Sequence, residues 1–208
     1  MKIGILGSGD VATSLAHGFL SRGHEVMLGT RDAAKLADWQ TEHAGARVGS
    51  FAQSAAFGEI VVLATLGTAT ESAIEQAGPQ NFGGKVVIDA TNPLNFDNGI
   101  HLAIGFNDSE GELVQRTLPM SKVVKAFNTV GNQYFVDPQF AGGPPTMFIA
   151  GNDDGAKREV AKIIESFGWE SADLGGIESS RYLEAMCMAW LAYGAQSGTW
   201  HHAFKLLR

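Results

Sequence analysis

The chain has 208 residues, 45% of them hydrophobic, enough for one sizeable core. Its formal charge of −7 and pI near 5.3 exclude the broad basic face that a nucleic-acid partner requires. The longest apolar stretches, Ile60–Leu66 and Ala185–Ala195, are too short to span a bilayer.

Short apolar runs alternate with helix-like segments along the whole chain. Strands are expected at Lys2–Leu6, Glu25–Leu28, Ala46–Gly49, Ile60–Thr65, Lys85–Asp89, Lys122–Ala126, Thr146–Ala150 and Glu170–Leu174. Helices are expected at Val11–Ser21, Ala33–Glu42, Phe51–Phe57, Thr70–Gln76, Glu110–Leu118 and Gly155–Phe167. The runs "IVVLAT" and "KVVIDA" are apolar on consecutive positions, which suits strands covered on both faces of a parallel sheet. The alternation predicts a Rossmann-type, doubly wound α/β fold over residues 1–175, with a mainly parallel sheet of about eight strands. Residues 176–208 then form a C-terminal helical segment opened by Glu178-Ser179-Ser180. Its apolar residues Leu183, Met186, Met188, Trp190, Leu191 and Tyr193 occupy more than one helical face. That pattern predicts burial on several sides, by the main domain together with a partner subunit or a second ligand. A homodimer is the expectation. The first strand begins at Lys2 and leaves no room for a secretory leader, so a cytoplasmic protein is expected. The one cysteine, Cys187, lies in a largely apolar helical stretch and reads as a packed thiol.

The first strand runs into Gly7-Ser8-Gly9-Asp10-Val11-Ala12. In a dinucleotide-binding turn the first glycine permits the bend, the second lets backbone approach a pyrophosphate, and the third place needs a small residue for helix–strand packing. Gly7, Gly9 and Ala12 hold those places. The helix that follows directs its unpaired N–H groups and positive dipole end at the phosphates. The second strand ends in Gly29, Thr30 and Arg31, with Lys35 one helical turn later. A neutral strand end with two cations nearby suits the 2′-phosphate of NADP rather than the bare ribose of NAD. The competing reading leaves Arg31 and Lys35 in solvent and gives an acidic ribose-binding role to Asp32, which lies beyond the strand end.

The blocks "GILGSGDVA…GHEVMLGTRD", "VVIDATNPL", "KVVKAFNTVG", "MFIAGND" and "DLGGIESSRYLEAM" together resemble the NADP-dependent coenzyme F420 oxidoreductase family. They are also similar to the cytoplasmic NADPH-binding domain of the six-transmembrane ferric reductases. The resemblance implies NADP(H) as hydride carrier, with F420, FMN or FAD as the partner ring. It implies that Ser8, Gly9, Asp10 and Val11 cradle the pyrophosphate and that Thr30, Arg31 and Lys35 hold the 2′-phosphate. Thr65, Leu66, Asn92 and Pro93 would line the ribose and nicotinamide, and Ala126, Phe127, Asn128 and Thr129 would border the hydride-transfer space. The transmembrane part of the ferric reductases has no counterpart here, so their haem and iron chemistry is not implied.

Hydride transfer between two rings needs positioning more than an acid–base couple, and no convincing couple is legible. Asp89 and Asn92 suit capping or loop hydrogen bonds. His201 and His202 are adjacent rather than spaced on one helical face, so no metal site is expected. Two alternatives remain open at this stage. An NADPH-dependent imine or ketone reductase would want a longer helical C-terminal domain than the roughly thirty residues that follow the last strand. A non-catalytic NADPH-binding redox sensor would bind without turnover.

Overall fold

In a computed structural model that describes residues 1–43 and 45–208, the β-branched runs come together as one eight-stranded sheet. The elements in chain order are β1 (Lys2–Leu6), α1 (Asp10–Ser21), β2 (Glu25–Gly29), α2 (Ala37–Glu42), β3 (Ala46–Gly49), α3 (Phe51–Phe57) and β4 (Ile60–Leu63). Then follow α4 (Thr70–Ala77), β5 (Val86–Asp89), β6 (Leu94–Asn95), β7 (His101–Leu102), α5 (Glu110–Thr117) and β8 (Lys122–Lys125). The chain continues through β9 (Thr146–Gly151), α6 (Asp154–Ser166), β10 (Glu170–Asp173) and α7 (Ser180–Ser197). The strand order is β10-β9-β8-β5-β4-β1-β2-β3. Winding runs outward in one direction from β1 to β3 and in the other from β4, so the order reverses between β1 and β4. A Rossmann-type sheet opens its ligand crevice at that reversal.

Alternate residues of each strand feed two separate cores. Ile3, Ile5, Val62 and Ile88 pack with Leu15 and Phe19 of α1 and Ile164 of α6 on one face. Leu6, Val61, Leu63 and Val87 pack with Phe51 of α3, Ile74 of α4 and Val114 of α5 on the other. Covering both faces is what lets the strands be apolar on consecutive positions. Among the described residues, one pairing within the eight-stranded sheet is antiparallel: β8 meets β9 with Val124 opposite Gly151. The segment between them holds only a short 3-10 turn at Asn132–Tyr134. Without a crossover helix to carry it back, the chain re-enters the sheet in the opposite direction.

Three local features differ from the sequence expectation. The helix expected over Ala33–Glu42 is a 3-10 turn at Ala33–Leu36 followed by α2, because Asp32 Oδ1 accepts from Ala34 N at 3.1 Å and starts a tight turn. The stretch before α5 contains the small antiparallel hairpin β6–β7. Within one chain, α7 buries one stripe rather than several faces. Ser180, Leu183, Glu184, Cys187, Trp190 and Gly194 face inward, while Tyr182 and Tyr193 are exposed. Beyond α7 the tail folds back on the domain, where Thr146 N donates to Phe204 O at 2.9 Å and Trp190 Nε1 to His202 O at 2.9 Å. Among the described residues no helix is long and apolar enough to cross a membrane.

Candidate functional site

A cleft of about 640 Å³ opens at the carboxyl ends of the strands, where the order reverses. That volume is ordinary for a small-molecule site. Gly7, Ser8, Gly9, Asp10 and Val11 form its floor. Gly7 has φ 146°, and a Cβ there would collide with the carbonyl of Ala64, so the bend out of β1 requires glycine. A Cβ on Gly9 would meet nothing and would project into open space, which leaves the backbone accessible to a ligand. Gly9 is the N-cap of α1 and no side chain caps the helix, so its first N–H groups are available to an anion. Ala12 is fully buried against the turn.

At the end of β2, Thr30, Arg31 and Lys35 reach the same cleft. Arg31 and Lys35 are exposed, and among the described residues neither joins a salt bridge. Thr30 is buried, and its hydroxyl donates to Asp32 O and accepts from Asp32 N, both at 3.1 Å. Its immediate work is therefore to shape the loop that carries Arg31. Asp32 spends a carboxylate oxygen on the Ala34 N–H as the cap of the turn. These residues fit a dinucleotide bearing an extra phosphate: an uncapped helix start for one anionic group and two unpaired cations for another.

On the opposite wall, Thr65 and Leu66 follow β4 and line the cleft, and Leu66 is 70% exposed. The sequence reading missed Thr68, Ala69, Ser72 and Gln76 beside them, which α4 and the turn before it contribute. Their signal was weak, because polar residues at a helix start look alike whether they face a ligand or water. A second, more open cleft of about 460 Å³ lies behind α1, with His17 and Trp39 in its lining. It shares Asn132 with the first but contains neither the glycine turn nor strand ends.

The remaining residues implied by the resemblance lie apart from this lining. Asn92 Nδ2 donates to Asn128 O, and Asn128 Nδ2 donates to Asn92 Oδ1, each at 2.9 Å. Asn128 Nδ2 also donates to Leu183 O at 3.0 Å, which ties the loops after β5 and β8 to α7. Pro93 is buried beside Gly67, where the loops after β4 and β5 touch. Ala126 and Thr129 are buried. Phe127 has a left-handed backbone, φ 61°, and its ring packs in the core against Phe135 and Phe167. A non-glycine residue in that region is uncommon and strained. These residues brace the site from behind.

Behind that brace lies a buried charged centre the sequence did not disclose. Lys125, at the end of β8, is 0% exposed and pairs with Asp89 at 2.9 Å and Glu184 at 2.8 Å. Burial acts to lower the Lys125 pKa, but Asp89 and Glu184 outweigh it and hold the ammonium charged. Asp89 Oδ1 also accepts from Thr91 N and Oγ1. Glu184 accepts from the backbone N–H groups of Glu110 and Gly111, both at 3.1 Å, and so caps α5 from α7. Burial pushes Glu184 upward while Lys125 opposes it. Next along α7, burial pushes the Cys187 thiol up to about 11, which leaves it unreactive as a nucleophile. Among the described residues no group of His, Cys, Asp and Glu could hold a metal ion. His201 bonds the Tyr134 hydroxyl at 2.8 Å, and His202 stacks on Trp190.

Residues 2–93 match the family model described as NADP oxidoreductase, coenzyme F420-dependent. An F420-dependent NADP reductase of Methanocaldococcus jannaschii is 30% identical over 203 residues, 89% of this chain and 89% of that protein. The metalloreductase STEAP3 of Rattus norvegicus is 28% identical over 89% of this chain, which spans 36% of that longer protein. A crystal structure from Arthrobacter sp. FB24, of a protein provisionally assigned as an F420-dependent NADP reductase, superposes with a TM-score of 0.96 at 40% identity over the full length of both chains. A Streptomyces aurantiacus imine reductase shares the fold, with a TM-score of 0.72 at 16% identity over 95% of this chain and 64% of its own. The glycine turn, the strand-order reversal and the full-length similarity to F420-dependent NADP reductases place this chain in the coenzyme F420-dependent NADP oxidoreductase family.

Proposed function

We propose that this protein transfers hydride between NADP(H) and a deazaflavin of the F420 type or a flavin. The single observation that carries the reading is the cleft itself: an uncapped α1 start facing Gly9, and the unpaired cations Arg31 and Lys35 at the end of β2. NADP(H), when bound, supplies or accepts the hydride. The backbone of Ser8, Gly9, Asp10 and Val11 holds the pyrophosphate, and Arg31 and Lys35 hold the 2′-phosphate, with Thr30 keeping their loop in place. Thr65 and Leu66 border the reacting end, and the Asn92–Asn128 pair fixes the loops behind it. Residues 176–208 lie outside the lining of the cleft, and the exposed Tyr182 and Tyr193 of α7 support a two-fold contact between copies in a cytoplasmic homodimer.

The experiment is anaerobic NADPH oxidation by the purified protein, with F420, FMN and FAD offered in parallel. Turnover with F420 alone identifies a deazaflavin oxidoreductase. Turnover with FMN or FAD identifies a flavin reductase on the same scaffold. Tight NADPH binding without turnover on any of them overturns the reading and brings forward an imine or ketone substrate, or a redox sensor.

A further inference from the structure

One end of the cleft carries polar groups that phosphate binding leaves unused. Arg31 and Lys35 stand just beyond β2 and suit a 2′-phosphate, while the α1 start suits the pyrophosphate. In NADP(H) one ribose, that of the adenosine, carries both groups, so the base on it lies on the β2 side of the cleft. Phe51, the first residue of α3, belongs to that side: a Cβ on Gly29 would come within 3.1 Å of its Cα. Helix α4 closes the same end, because its Ala73, Ile74 and Ala77 pack with Phe51 in one core. Phe51 and Ala73 also line the cleft, which gives a flat ring an apolar surface to rest on.

Ser72 and Gln76 flank those core positions on the exposed rim of α4, one helical turn apart, and both line the cleft. Gln76 Nε2 donates to Ser72 O and to Ser72 Oγ, each at 3.1 Å. A backbone carbonyl can only accept, so the orientation of the amide is fixed: its nitrogen lies against Ser72 and Oε1 is left over. Among the described residues Oε1 takes no hydrogen bond. The Ser72 hydroxyl accepts from Gln76 and keeps its own proton to donate. The rim therefore offers one acceptor beside one donor, held in register by the bond between them.

Adenine presents the complement of that pair. Its exocyclic amino group donates, and the neighbouring ring nitrogen N7 accepts. We propose that Gln76 and Ser72 read the adenine base of NADP(H), with Oε1 accepting from the amino group and the Ser72 hydroxyl donating to the ring nitrogen. A purine that carries a carbonyl in place of the amino group turns an acceptor toward Oε1, and repulsion replaces the bond. The inference rests on NADP(H) as the cofactor and is independent of which ring exchanges the hydride. It gives the cleft two separate selectivities. Arg31 and Lys35 sort dinucleotides by their phosphate, and Gln76 sorts them by their base.

The test is calorimetric titration of the full chain with NADPH and with its hypoxanthine analogue, in which a carbonyl replaces the adenine amino group. Wild type should bind NADPH about tenfold more tightly than the analogue. Gln76→Ala should bring the two affinities together by weakening NADPH alone. Gln76→Lys, which puts a donor where Oε1 stood, should reverse the order in favour of the analogue. Ser72→Ala should weaken both ligands alike, since both purines keep the ring nitrogen. Gln76 and Ser72 are exposed, so these variants should fold with the wild-type unfolding midpoint. Equal affinities in wild type, or a preference for NADPH that survives in both Gln76 variants, overturn the proposal, and unchanged affinities in Ser72→Ala overturn its half of the pairing. If wild type binds neither ligand, the NADP(H) reading fails and takes this one with it. Equal binding of both ligands leaves that reading standing and overturns only the base contact.

Discussion

The two polar centres of this protein are built in opposite ways. In the cleft, donors and cations are left unpaired at the surface: the α1 start is uncapped, and Arg31 and Lys35 stand in solvent. Behind the strand ends, Lys125, Asp89 and Glu184 are almost completely excluded from water and satisfy one another. Exposed charges cost little to keep, so they can wait for a ligand that brings the opposite charge. Buried charges persist only when paired, so they cannot wait. The first centre is suited to binding and the second to holding position.

Three changes would sharpen or break this contrast. The largest effect is expected for Lys125→Met, which removes the shared partner of Asp89 and Glu184 and should cost about 3–5 kcal/mol of stability in urea unfolding. A loss well under 1 kcal/mol would mean the centre is not the paired cluster described. Next is the pH dependence of stability. Burial, followed by the charge of Asp89, moves the Glu110 carboxyl from the usual 4.5 to about 7 on folding. Between those values the folded chain keeps a proton that the unfolded chain has released. Stability should therefore fall as pH rises through this window and level off above it, by on the order of 3 kcal/mol. Unfolding titrations of E110Q should lack that slope, and an identical slope in both proteins would contradict the assignment. The smallest effect is in the cleft. Arg31→Glu should leave the unfolding midpoint unchanged and weaken NADPH binding by about 2 kcal/mol more than NADH binding. Equal losses for the two, by fluorescence titration, would return the ribose to Asp32.

Legibility in the sequence followed how local each determinant was. The runs Ile60–Leu63 and Val86–Asp89 announce themselves because covering a strand on both faces demands consecutive apolar residues. The Gly7–Ala12 turn is equally plain, since its backbone geometry tolerates little else at Gly7. The hairpin at Leu94–Leu102 left no trace, because two-residue strands are too short to show a period. The resemblance implies that Phe127 borders the transfer space; that its ring packs in the core, on a left-handed backbone, is something no pattern reveals.

By itself, the sequence determined the alternating elements, the glycine turn and the cationic end of β2, all of which depend on residues within one turn or strand of each other. Only the tertiary structure decided that Lys125, which looks like an ordinary strand-end cation, would be 0% exposed. It also joined Glu110 to Glu184 across 74 residues. The physical reason is that a charged side chain's role is set by its access to water and by its partners. Both are properties of the packed chain, not of the neighbouring letters.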